Sequence, residues 1–156
     1  MFDYEAILKD GGAVTSSGYG TVDSEAAVIG LGSGLVRGNL VIDISAIKIS
    51  AKDEKYVFHL MGGMDENFIG EVSLASKEIG AHGVLEGSVD AKLSRLVIPF
   101  MNEERGIVYP YVRIRHAISG TSPSIDYQAR LEKDLPQRGS TNLNQTTTTT
   151  TTTTTV

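Results

Sequence analysis

The sequence predicts an all-β protein, a single jelly-roll-like antiparallel β-sandwich with an extended N-terminal arm and a C-terminal tail. Three observations carry this reading. Apolar residues recur with period two along several stretches, as half-buried strands require. Glycine-rich or charged turns interrupt those stretches at short intervals. No segment sustains the 3.6-residue apolar period of an amphipathic helix. Roughly seven or eight short strands of this kind indicate a sandwich or a jelly roll.

The clearest pattern lies in residues 109–132. In its first half Val112, Ile114, His116 and Ile118 share one face, and Tyr111, Arg113, Arg115 and Ala117 the other. In its second half Ile125, Tyr127, Ala129 and Leu131 alternate with Asp126, Gln128, Arg130 and Glu132. The intervening Ser119-Gly120-Thr121-Ser122-Pro123-Ser124 supplies turn residues and a proline that stops the first strand. The expectation is hairpin-like, two long strands lying side by side.

Taken in order, residues 1–20 read as a glycine-punctuated, partly irregular arm suited to partner contact, with a short strand or docking segment at Asp3–Leu8. Residues 21–134 read as the sandwich domain. Its first strand is expected near Ala26–Ile29, followed by the flexible loop Gly30-Leu31-Gly32-Ser33-Gly34. Asn39–Ile44 alternates, and Ala46–Ser50 continues it, with a bulge expected at the junction. Lys55–Met61 is rich in strand formers, and Gly62–Asn67 reads as a turn. Phe68–Ser76 and Leu93–Phe100 complete the set, Pro99 marking the latter as an edge strand or a strand end. Met101–Gly106 is a polar turn. Residues 135–156 are a low-complexity tail ending in an unbroken threonine run, Thr146–Thr155, which lacks the apolar surface for a core. Threonine favours extended backbone, so the tail is expected to act as a strap against a neighbouring chain.

The 156 residues suit one domain, and a folding unit of this size buries roughly two-thirds of its unfolded surface. It therefore needs no disulfide or metal to fold, and the absence of cysteine excludes thiol chemistry. The net charge of −5 argues against a general nucleic-acid binder. No apolar run approaches the roughly 18 residues of a spanning helix, so no membrane partner is expected. The acidic start MFDYEAILKDGG does not read as a signal peptide, which points to synthesis in a cytoplasm.

No residue set commits to catalysis. His59, His82 and His116 lack metal-ligand spacing, so neither a metal nor a cofactor is expected. Asp65, Glu66, Glu103 and Glu104 lie in turns, where charge ordinarily serves solvation. The 30–34 loop lacks the Lys-Ser/Thr of a phosphate loop, and Gly32-Ser33-Gly34 lacks the helix of a nucleophile elbow. The notable basic feature is Arg113, Arg115 and Arg130. Two readings stand: a solvated face with cross-strand pairs to Asp126 or Glu132, or a surface that meets an acidic partner.

Three pieces of the chain resemble the head-decoration, or capsid cement, proteins of tailed bacteriophages. They are Met1-Phe2-Asp3-Tyr4, the Gly30-Leu31-Gly32 turn, and Tyr111-Val112-Arg113-Ile114-Arg115-His116-Ala117-Ile118-Ser119-Gly120. Such proteins often begin with a Met-x-Asp-Tyr arm and end in an Arg-Tyr-Leu-Arg-Leu-x-Tyr-x-Val-x-Gly-like strand. This chain departs at Met101–Gly106, where a Pro-Gly turn is more usual, and in its polythreonine tail. The resemblance implies a non-enzymatic virion protein. It would bind the outside of the major capsid protein shell as a homo-oligomer, dimer or trimer. Partner contact is expected at Phe2, Asp3 and Tyr4, at Arg113, Arg115 and Arg130, and at Thr146, Thr150 and Thr155. The rival readings are a carbohydrate- or receptor-binding module of a fibre or adhesin, lowered by the lack of tryptophan, and a jelly-roll enzyme.

Overall fold

The computed structural model describes residues 5–81 and 94–133. Among them are fourteen β-strands and no helix. Seven lie in the first half: β1 (Glu5–Lys9), β2 (Ala13–Val14), β3 (Gly18–Tyr19), β4 (Thr21–Val22), β5 (Glu25–Ala26), β6 (Ile29–Gly30) and β7 (Arg37–Ile47). The rest are β8 (Lys55–Gly63), β9 (Val72–Gly80), β10 (Arg95–Met101), β11 (Glu103–Glu104), β12 (Ile107–Val108), β13 (Tyr111–Ser119) and β14 (Ile125–Lys133).

Two antiparallel sheets dominate. The first runs β1-β14-β7-β10, with β2 continuing the β1 edge along β14. The second runs β3-β13-β8-β9, with β6 continuing the β3 edge along β13. The small β4–β5 hairpin interrupts the β3/β6 edge. The pairings nest: the first edge with the last strand, the next edge with the last but one, β7 with β10, and β8 with β9.

The inward faces meet as the alternation predicts. Leu40, Ile42, Tyr127 and Leu131 from one sheet pack against Tyr56, Phe58, Leu60 and Ile114 from the other. Each such side chain contributes about 1.5–3 kcal/mol by leaving water. Phe58 and Tyr127 meet edge-on across the interface, ring centroids 4.9 Å apart. The sandwich is thus as expected, and so are two details. Pro99 lies on β10, an edge strand, and β7 bulges at Ser45, where Ile44 and Ala46 face consecutive residues of β14.

Three expectations change. β13 and β14 are strands with the foreseen faces, yet they do not pair as a hairpin. Residues 120–124 carry the chain from one sheet to the other, and each strand pairs along its whole length with a different partner, β8 for β13 and β7 for β14. The expected arm is, from Glu5 onward, the edge of both sheets, and Leu8 is fully buried in the core. The sandwich therefore begins well before the stretch at Ala26–Ile29. Gly62 and Gly63 belong to β8, and Phe68 to the turn that follows it. A Cβ on Gly63 would sit 2.6 Å from the Phe68 ring, so only glycine lets that ring lie flat on the strand. The tail at 135–156 lies outside the described residues.

Candidate functional site

Three regions hold side chains with more than a packing role. The first is the outer face of the β13 sheet. Arg113 is stacked between two rings, its guanidinium carbon 3.7 Å from the Tyr19 centroid and 4.2 Å from that of Phe68. Glu71 accepts from Arg113 at 2.8 Å and from the Tyr19 hydroxyl at 2.7 Å. Arg113 is therefore committed within the chain. Arg115, two residues on, has no carboxylate partner among the described residues, and its cross-strand neighbours are Tyr19 and His59. Burial, and then the nearby Arg115 charge, hold the His59 ring below its ordinary pKa.

Arg130 does not join them. It belongs to the other sheet, on the outward face of β14, where it donates to Asp43 at 2.6 Å and to Glu132 at 2.9 Å. Asp43 also accepts from Arg95, and these two guanidinium bonds keep its carboxyl below the usual range. The expected cross-strand partners were Asp126 or Glu132; the Glu132 pair runs along β14 itself, and the cross-strand partner is Asp43 on β7. Phe2, Asp3 and Tyr4, His82, and Thr146, Thr150 and Thr155 fall outside the described residues.

The second region lies between the sheets. The β1 register slips between Ile7 and Lys9, and both Leu8 and Lys9 end up buried. The Lys9 ammonium donates to the carbonyls of Asp10, Gly12 and Tyr127 at 2.8–2.9 Å and stands 4.5 Å from the Tyr127 ring centroid. Burial lowers its pKa, which Asp126 and Asp10 partly offset. Beside it, His116 Nδ1 lies 2.6 Å from the Tyr127 hydroxyl. Burial, then the charges of Lys9 and Arg115, pull His116 down to about 4, so its ring is neutral in the fold. Burial pushes the Tyr127 hydroxyl up, so it keeps its proton and donates it to Nδ1. The trio is buried and serves the core.

The third region is one end of the sandwich, formed by the loops at 31–36, 64–71 and 102–110. Asn102, fully buried, ties the first to the third. Its Oδ1 accepts from Val36 N at 2.7 Å, and its Nδ2 donates to the carbonyls of Gly34 at 3.2 Å and Tyr109 at 3.0 Å. Backbone bonds from Asn102 N to Val36 O and from Tyr109 N to Asn102 O complete the tie. In the middle loop, Asp65 accepts from Asn67 N, and Phe68 adopts φ 55°, an unfavourable conformation for a bulky residue. The stack on Arg113 and the contact with Gly63 hold it there, and the next residue, Ile69, projects 79 % exposed. Met64, Leu35 and Ile107 on the same loops are each about half exposed. Between Met64, Val108, Pro110, Tyr111 and the 30–33 loop is an open cavity of about 500 Å³.

This end was missed from sequence, because its apolar residues are scattered singly among polar turn residues. Among the described residues no cluster of three His, Asp or Glu has metal-binding geometry. The chain matches no protein-family model and no curated protein.

Proposed function

We propose that the chain is a structural virion protein that binds the outside of an assembled tailed-phage capsid and cements its major capsid protein shell. The observation that carries this reading is the end of the sandwich at 31–36, 64–71 and 102–110. Ordered loops there hold large apolar side chains in water, an arrangement suited to a protein partner rather than to a reaction. We read the sandwich as a jelly roll, because nested pairing of first with last strand is what two successive Greek keys produce. The likeness of 111–120 to a cement-protein strand adds to this, as does homo-oligomeric docking, through which many weak symmetric contacts combine by avidity. A protein that binds only the assembled shell stabilises it by mass action.

The carbohydrate-binding alternative gains nothing from the described tyrosines. Tyr19, the one with a well-exposed ring, has that ring covered by Arg113. The test is to mix the purified chain with expanded, undecorated tailed-phage capsids. Cosedimentation with a raised capsid melting temperature is the expected result. Saturable hits on a glycan array with no capsid binding would replace this reading.

A further inference from the structure

We propose that the loop end of the sandwich receives one apolar side chain of a protein partner, flanked on that partner by lysine or arginine. The inference rests on the cement reading only for the partner's identity as the capsid shell; the surface chemistry stands on the loops themselves. The apolar half of the match is the cavity of about 500 Å³, lined by Met64, Val108, Pro110 and Tyr111. Ile69 and Ile107 expose further apolar surface on the same loops. Apolar side chains left in water on ordered loops are stabilised when a partner covers them.

The charged half is the set of acidic side chains on the same loops. These loops carry Asp65, Glu66, Glu103 and Glu104 against the single guanidinium of Arg105, which pairs with Glu104 at 3.6 Å, while Glu103 accepts from Gly106 N at 2.7 Å. Glu71 is not available, being bound to Arg113 and Tyr19. Asp65 and Glu66 are exposed, and Glu103 and Glu104 half-buried. An acidic partner was one of the two readings of the arginine residues. The loops at this end carry the opposite sign, so their complement is a basic one. Rigidity completes the case. Asn102 and the bonds around Phe68 set the loops before binding, so little ordering entropy is lost on docking.

The test is a titration of the isotope-labelled full chain, followed by backbone amide NMR, with three capped peptides: Lys-Lys-Leu-Lys-Lys, Lys-Lys-Ser-Lys-Lys and Glu-Glu-Leu-Glu-Glu. The first is expected to shift amides in 64–71 and 102–110, and to weaken several-fold as salt rises from about 0.05 to about 0.2 M. The other two are expected to leave those amides in place. A Met64→Ser, Ile69→Ser double variant, altered only at exposed positions, is expected to keep its fold and lose the response. No shift in these loops, or an equal response to the serine or acidic peptide, overturns the proposal. Capsid cosedimentation of the same double variant separates the two readings. A variant that binds capsids as well as the parent overturns this surface as the shell contact and leaves the cement reading standing. A parent that shows the peptide response without binding capsids supports the surface and removes the cement reading.

Discussion

The two ends of the sandwich are built on opposite principles. At the far end, around 48–54, 80–81 and 119–124, polar groups close the structure on itself. The Tyr56 hydroxyl donates to Lys48 O at 2.6 Å and accepts from Ser124 N at 2.9 Å, and Asp53 holds both the amide and the hydroxyl of Thr121. Backbone packs on backbone: a Cβ on Gly80, at φ 146°, would lie 2.4 Å from the Glu54 carbonyl oxygen. Glu54 is wholly buried, one oxygen bonded to Ala51 N and the other without a partner among the described residues. At the near end Asn102 does comparable work from inside, but the outer surface holds large apolar side chains in water among acidic turn residues. One end spends its polar groups on closure. The other is equally ordered and leaves its apolar side chains uncovered, which is why binding is assigned to it.

Substitutions sharpen this contrast. The largest effect is expected at Gly80→Ala, where the added carbon meets backbone that cannot swing away, for a loss of about 3 kcal/mol or more. Gly32→Ala in the near-end loop also has positive φ, 86°, but nothing within 4 Å, so only the backbone term of about 1–2 kcal/mol applies. Chemical denaturation of both variants measures the difference, and equal losses would erase the distinction between the ends.

Next is the pH dependence contributed by His116. Its folded pKa of about 4 lies below the ordinary 6.5, so the unfolded chain binds the proton more readily. Stability from this group is whole above about pH 6.5 and is lost as pH falls towards 4, about 3 kcal/mol in all. A His116→Gln variant, which keeps an acceptor for Tyr127, is expected to lose that component in melts across the window. Identical pH profiles for parent and variant would contradict the buried neutral ring.

Asn102→Ala strips Val36 N, Gly34 O and Tyr109 O of a partner and is expected to cost about 2–3 kcal/mol. Its mark is faster hydrogen exchange at Val36, with far-end amides such as Ser124 unchanged. Smaller again is Arg113→Ala, at about 1 kcal/mol through the lost stack and half-buried ion pair, against roughly half that or less for Arg115→Ala. The smallest is Ile69→Ser, within about 0.5 kcal/mol by thermal melting, since its side chain touches little.

Much of the fold was legible because it rests on alternation. The inward faces of β7, β13 and β14 and the edge position of Pro99 follow from period two and from the missing proline donor. Pairing was not legible. Alternation says which way a side chain points, and says nothing of which strand lies beside it, so β13 and β14 were expected to form a hairpin that the structure divides between two sheets. The arginine face failed for the same reason: Arg113 and Arg130 point outward on opposite sheets. Lys9 could not be placed in the core, because a one-residue register slip reverses the face of everything beyond it. The apolar end was hidden because its residues come from three loops far apart in sequence, each unremarkable alone.

The most direct measurement is cosedimentation of the chain with expanded, undecorated tailed-phage capsids, run beside the Met64→Ser, Ile69→Ser variant. The account predicts that the parent pellets with the shells and raises their melting temperature, while the equally stable variant stays largely in the supernatant. A parent that remains in the supernatant at every shell concentration would contradict it.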